Sequence, residues 1–466
     1  MNNSEKKGNS PDRKRNGKSN IKSGGVNVRK TALDLLCGME ENGVYSNIGV
    51  DAAIKRTQMS REDRALFTAL VYGTVERRIT LDFYINSFSS MAPEKIESRT
   101  RNILRLGAYQ IIYLDRIPDR AAVNECVALC DRSSSGFVNA LLRRLSENKS
   151  NLPMPDKSKK PYRYLSVKYS FPQPLCRRFS EIFGMEKTEK ILAAFCERAK
   201  DGTVIRVNTL KIPTDKLKKK LTDMGTVVSD GIYSDTALHI NGGNPPDLAS
   251  SDGEFFVQDE ASQLCVKVLG AMPGETVIDM CSAPGSKSFG AAIEMNNRGK
   301  ILAFDLHESK LSLIEDGAKR LGIDIIHTAA ADGLVFDPAL AGTADRIICD
   351  VPCSGFGVCA KKPEIRYRSP DECTALPDIQ LGIALNAAKY LKPGGTMIYS
   401  TCTLLPEENQ SNVERLLENC PELEIEREDF TVGGISSENG MLTLTPDLFR
   451  TDGFFIAKLK KRGADR

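Results

Sequence analysis

The carboxyl-terminal half of this chain predicts an α/β domain built on a mostly parallel sheet with helices on both faces, preceded by an all-α domain and a small α+β module. Two observations carry that prediction. After Gly253, the short β-rich runs Thr276–Met280, Lys300–Phe304, Arg346–Asp350 and Thr396–Ser400 are separated by stretches long enough for a crossover helix. Before residue 148, apolar residues recur at helical spacing and strand-like runs are few. The 466-residue length agrees, because single cores stop growing at roughly 250–300 residues.

Composition excludes several classes. Apolar residues at 41% and charged residues at 27% describe an ordinary globular mixture, not a disordered or fibrous chain. No run approaches the roughly 20 apolar residues that span a bilayer, and the polar start lacks the apolar stretch of a secretion signal, so a cytoplasmic protein away from membranes is expected. The odd count of 13 cysteines shows no paired metal-ligand spacing, and His239, His307 and His327 are dispersed. Reduced thiols and no metal site are expected.

Residues 1–25 carry seven Lys/Arg against two acids among many Asn, Ser and Gly. They predict a disordered basic tail, because too little apolar surface is present to offset ordering. Residues 26–148 form the all-α domain. Leu33, Leu36 and Glu40 lie at helical spacing beside Val28, Ala32 and Met39, and Leu104, Ala108 and Ile111 give a second stripe. Residues 115–119 interrupt it, and Pro118 opens the next helix near Ala121. On that helix Cys126 and Cys130 stack on one face as core residues.

Residues 149–250 are predicted as a linker followed by the small module. The Pro-, Lys- and Ser-rich stretch 146–162 suits an exposed connection. A strand over Val204–Thr209, a helix from Thr214 to Met224 ended by Gly225, and a strand pair through Ile240 make up the module.

Residues 251–462 form the α/β domain, where ligands bind beyond the carboxyl ends of the strands. The informative residues fall there. The first run leads into Cys281-Ser282-Ala283-Pro284-Gly285-Ser286-Lys287, small residues at a strand-to-helix turn that admit close approach of a ligand to backbone and helix N-terminus. Asp305 follows Gly285 by 20 residues at the next strand end, the spacing of an acid that accepts ribose hydroxyls. Asp332 ends a third strand region, placed to accept the amino group of a base. With one glycine and no Gly-Lys-Ser/Thr ending, the loop is neither a dinucleotide fingerprint nor a P-loop. Asp350-Val-Pro-Cys353 and Ser400-Thr-Cys402 then bring two thiols and an acid to the ends of two further strands, an arrangement that points to nucleophilic catalysis.

These motifs resemble the Nol1/Nop2/Sun family of RNA cytosine-5 methyltransferases, in its bacterial Sun/Fmu-type branch that acts on 16S ribosomal RNA. The stretches that carry the resemblance are Phe256–Ser262, the loop 281–287, Asp350–Gly355, Ser400–Thr403 with Pro406–Asn409, and Asp452–Ala457. In the amino half, Leu104–Ile111 and Phe137–Leu142 resemble a NusB-like RNA-binding domain, and the module resembles a small RNA-recognition-like insert.

The resemblance implies a Rossmann-like domain with S-adenosylmethionine as cofactor, held by Cys281, Ser282, Ala283, Pro284, Gly285, Ser286, Lys287, Asp305, Asp332 and Asp350. It makes Cys402 the nucleophile and Cys353 the thiol that assists proton removal and product release. The chemistry explains the pair. Cytosine is too poor a nucleophile at carbon 5 until a thiolate adds to carbon 6, and Asp350 is the acid that supports ring nitrogen 3. Ser286 stands where the family usually has a second glycine, so a slightly displaced loop is expected. Lys361, Lys362 and Arg366 are expected at the crevice rim, holding RNA phosphates. The target cytosine must be single-stranded or flipped out, and a monomer is expected. Two other readings stay open: the same chemistry on transfer or 23S ribosomal RNA, and a non-catalytic NusB-like RNA-binding factor.

Overall fold

The computed structural model describes residues 26–42, 46–198, 201–243, 252–426 and 430–463; the predicted basic tail lies outside them. Seven helices form the amino-terminal domain: α1 (Val28–Asn42), α2 (Ser46–Arg56), α3 (Arg61–Glu76), α4 (Arg78–Phe88), α5 (Ser98–Tyr113), α6 (Asp119–Val127) and α7 (Arg132–Glu147). The stripes read from the sequence become its core, with Leu33, Leu36, Leu104, Ala108 and Ile111 all buried together. Inside it Arg105 pairs with Asp82 at 2.7 Å and also with Glu40. Cys126 is buried, but α6 ends at Val127, so Cys130 sits in the following turn instead of stacking on the same helix.

From the end of the expected linker at 146–162 up to the module lie three further helices, α8 (Pro161–Tyr169), α9 (Gln173–Phe183) and α10 (Met185–Arg198). Pro161 and Pro174 occupy first-turn positions, where the missing N–H costs nothing. Leu165, Phe171, Leu175, Phe179, Ile191, Leu192 and Phe195 form a core that also contains Phe356, Leu404 and Leu405. These helices therefore lie directly beneath the two loops that follow Cys353 and Cys402.

The small module is a four-stranded sheet ordered β2-β3-β1-β4, with β1 (Thr203–Val207), β2 (Thr226–Asp230), β3 (Ala237–Gly243) and β4 (Phe255–Val257), and helix α11 (Thr214–Asp223). Strand β4 lies beyond the boundary expected at residue 250 and pairs antiparallel with β1. The module is also tied to α12 (Glu260–Leu269). The buried Glu260 carboxylate accepts N–H groups from Ile232, Tyr233 and Ser234 and contacts His239 Nε2 at 2.6 Å.

The remaining elements are β5 (Thr276–Asp279), α13 (Ser286–Glu294), β6 (Lys300–Asp305), α14 (Leu311–Leu321), β7 (Ile326–Ala330), β8 (Ala344–Asp350), α15 (Leu376–Tyr390), β9 (Leu391–Thr401), α16 (Gln410–Asn419), β10 (Leu423–Ile425), the short pair β11 (Thr431–Val432) and β12 (Ile435–Ser436), β13 (Met441–Leu444) and β14 (Phe454–Lys461). The main sheet runs β10-β14-β9-β8-β5-β6-β7, with β13 beside β14. Strands β5 to β9 are parallel, and β14 returns antiparallel against β9. This is a Rossmann-like arrangement. The chain builds outward from β5 through β6 and β7, then returns to β8 on the other side. That reversal opens a crevice at the carboxyl ends of β5 and β8. Among the described residues no helix is long and apolar enough to cross a membrane.

Candidate active site

The loop after β5 is built for close approach. Gly285 has φ 103°, and a Cβ there would meet the Phe289 ring at 2.5 Å. Only glycine fits that conformation and that space. Ser286 is the first residue of α13. Because Gly285 alone takes the left-handed conformation, the serine carries no strain, and the displacement expected of the loop has no basis there. Ser282 N–H donates to Phe304 O at 2.7 Å, tying the loop to the end of β6.

A buried acid network lies behind this loop. Ser288 donates to Asp279 at 2.6 Å and its hydroxyl meets that of Ser282 at 2.9 Å. Burial pushes the Asp279 carboxyl up to about 6, against the pull of the Ser288 hydrogen bond. Its Oδ1 is buried without a partner. Asp279 was missed in the sequence, although an acid closing an otherwise apolar strand was a usable signal.

Asp305 is nearly buried at the end of β6, with Oδ1 accepting His307 N–H at 3.0 Å. Asp332 is exposed just after β7 and accepts Leu334 N–H at 2.9 Å. Lys287 turns away from the loop backbone and pairs with Asp350 at 2.6 Å. Burial opposes the charge on this lysine, but the Asp350 carboxylate more than offsets it and holds its pKa above the ordinary value. Ser400 donates to the other Asp350 oxygen at 2.7 Å, so Asp350 is fixed from both sides.

The sulfurs of Cys353 and Cys402 lie 3.2 Å apart, both half-buried at the crevice. The hydrogen bond from the Cys353 thiol holds Cys402 below its ordinary pKa, against the opposing effect of burial; Lys287 and Lys362 add to the lowering. The same bond, with burial, pushes Cys353 well up. The two thiols are thus unequal, with Cys402 the better thiolate.

Glu408 and Asn409 cage the pair from behind. Glu408 is fully buried, accepts Ser354 N–H at 2.9 Å and Gln380 Nε2 at 2.7 Å, and is pushed up by burial. Gln380 also donates to Pro352 O at 2.9 Å. Asn409 accepts the Thr401 hydroxyl and donates to Thr403 O at 3.1 Å.

The rim cations divide. Lys362 is exposed. Lys361, though exposed, is held by the buried carboxylates of Asp259 at 2.5 Å and Asp452 at 2.9 Å, with Arg198 alongside, so its charge is already paired. Arg366 is 1% exposed and bonded to two backbone carbonyls, which removes it from any phosphate-binding role. Its Lys-Pro-Glu-Ile-Arg context reads as a solvated basic run, and nothing local in the sequence distinguishes a buried guanidinium.

The described residues fit S-adenosylmethionine as cofactor. A glycine-opened helix N-terminus, a buried acid at the end of β6 and an unpartnered Asp279 oxygen behind the loop suit the polar groups of an adenosyl ligand.

Comparison with known proteins agrees with this geometry. A family model described as 16S rRNA methyltransferase RsmB/F matches residues 266–460, and a NusB family model matches residues 26–147. The chain is 35% identical to the probable ribosomal RNA small subunit methyltransferase B of Bacillus subtilis, over 94% of this chain and 99% of that protein. The crystal structure of PH0851 superposes with a TM-score of 0.77 at 25% identity, over 94% of this chain and all of that one. The structure of NSun6 from Pyrococcus horikoshii with SFG shares the fold at 23% identity, with a TM-score of 0.55 over 64% of this chain. With its thiol pair at the strand ends and its NusB-type helical domain ahead of them, this chain belongs to the RsmB/F family of 16S rRNA methyltransferases.

Proposed function

We propose that the chain methylates carbon 5 of a cytosine in 16S ribosomal RNA through a covalent bond between Cys402 and carbon 6. The observation that carries this reading is the 3.2 Å contact between two thiols at the ends of adjacent parallel strands. Bound S-adenosylmethionine supplies an electrophilic methyl group and a sulfonium charge.

The chain's own groups do the rest. Cys402, as a thiolate that accepts a hydrogen bond from the Cys353 thiol, adds to carbon 6 and makes carbon 5 nucleophilic. Asp350, fixed by Lys287 and Ser400, supports ring nitrogen 3 as electrons move into the ring. After transfer, Cys353, whose own proton passed to ring nitrogen 3 as Cys402 added, accepts the carbon-5 proton. The sulfur–carbon bond then breaks and its electron pair returns to Cys402. Loop 281–287 with Asp305 and Asp332 holds the cofactor, and Lys362 is the rim cation left to meet an RNA phosphate. Only a flipped-out or single-stranded cytosine reaches thiols at this depth.

The test is methyl transfer from labelled S-adenosylmethionine to 16S RNA, with the product mapped by bisulfite sequencing. A cytosine newly protected from conversion is expected; label on any other base refutes the reading.

A further inference from the structure

The segment from Cys353 to Tyr367 begins at the thiol pair and ends inside the helical domain. At its near end Gly357 N–H donates to Cys402 O at 2.9 Å, and Gly357 O accepts Gly453 N–H at 2.8 Å. A Cβ on Gly357 would lie 2.7 Å from Cys402 O, so the two thiol loops touch backbone to backbone. Midway, Phe356 and Cys359 are sealed into the core shared with α8, α9 and α10.

At the far end three residues cross to the helical domain. Glu364 accepts the backbone N–H and hydroxyl of Ser46, at 3.2 and 2.8 Å, where α2 begins. The Tyr367 hydroxyl donates to Val75 O at 2.6 Å, accepts Arg78 N–H at 3.2 Å and meets the Ser170 hydroxyl at 3.0 Å. Arg366 donates from one nitrogen to Glu76 O at 3.1 Å and from another to Cys359 O at 2.7 Å, with its Cζ 4.5 Å from the Phe171 ring centre. Helices cannot satisfy their own terminal carbonyls and amides. Here the end of α3 and the start of α4 are completed by the segment that carries Cys353. A rigid guanidinium fork that binds one carbonyl on each side transmits displacement between them.

We infer that Arg366 and Tyr367 are positioning residues through which the helical domain fixes the geometry of the Cys353–Cys402 pair. The domain then sets thiol reactivity as well as RNA affinity. The inference rests on the reading that these thiols are the reacting pair. The Cys353 thiol lowers Cys402 only while it reaches that sulfur, so displacement of the segment weakens the bond that keeps Cys402 a thiolate.

The test uses the full chain with Arg366→Lys, which keeps the charge but not the fork, and Tyr367→Phe, which keeps the ring but not the hydroxyl. Alkylation of Cys402 by iodoacetamide is followed against pH by mass spectrometry of its peptide, with Cys37 as internal control, beside single-turnover methylation of 16S RNA. Both variants are expected to move the Cys402 midpoint upward by about half a pH unit or more, a threefold loss of thiolate at fixed pH. Methylation is expected to fall about tenfold with unchanged cofactor affinity. Wild-type alkylation profiles in both variants overturn the inference, as does a fall in methylation without a thiol shift, which assigns the effect to RNA binding. If a variant loses its cooperative melt, Ser46→Ala replaces it, and the same profile decides. A shifted thiol profile in a protein that methylates no RNA leaves the coupling standing and refutes the methylation reading alone.

Discussion

The carboxylate of Glu408 accepts the backbone N–H of Ser354, one residue past Cys353, at 2.9 Å. The same oxygen takes the Gln380 side chain, which in turn holds Pro352 O, so both neighbours of Cys353 are fixed by one buried pair. Replacing Glu408 with Ala leaves Ser354 N–H without an acceptor and the Gln380 amide with Pro352 O alone. The expected cost is about 2–4 kcal/mol, read as a lower urea midpoint.

Cys402→Ala is expected to reduce methyl transfer to below about one-thousandth. Affinity for S-adenosylmethionine, measured by calorimetry, stays within about twofold, because the cofactor loop lies on other strands. A fully active Cys402→Ala enzyme defeats the mechanism.

Cys353→Ala is expected to stall after addition, giving a protein–RNA band on denaturing gels. It also removes the donor that holds Cys402 down. The alkylation rate of Cys402 should then rise with pH through a higher midpoint than in wild type. An unchanged midpoint shows that the 3.2 Å contact does not tune the nucleophile.

Asp305→Ala removes the acid at the end of β6. Cofactor binding is expected to weaken about tenfold or more, by roughly 1.4 kcal/mol or greater, through loss of hydrogen bonds to a charged acceptor. Unchanged calorimetric affinity refutes the ribose assignment.

Asp279 gives a pH prediction with a definite sign. Its folded pKa, about 6, lies above the unfolded value of roughly 3.9. The folded state therefore holds the extra proton, and its stability falls as pH rises between those values, then levels off. Asp279→Asn removes this titration. In urea unfolding without cofactor, the variant should gain on wild type from pH 4 to about pH 7.

Much of this was readable in the sequence because parallel strands announce themselves. The runs ending at Asp350 and Ser400 are apolar on both faces, and the residues after them fall at the crevice by topology alone. Cys353 and Cys402 met as that argument required. Pairings made by distant segments left no local trace. Lys361 and Arg366 look like surface cations, yet one is neutralised by Asp259 and Asp452, more than 90 residues away on either side, and the other reaches the end of α3. Helices α8 to α10 carry their own apolar stripes, such as Leu175 with Phe179 and Ile191 with Phe195; what the local stretch does not contain is the surface they pack against, Phe356, Leu404 and Leu405.

Strand β4 hydrogen-bonds to β1, and Glu260, three residues later, clasps the turn before β3. A fragment starting just after Val257 would leave one sheet short of an edge and carry a carboxylate with nothing to hold. No clean seam separates module from catalytic body, so heat should melt both in a single transition, and attempts to express either alone should yield aggregates.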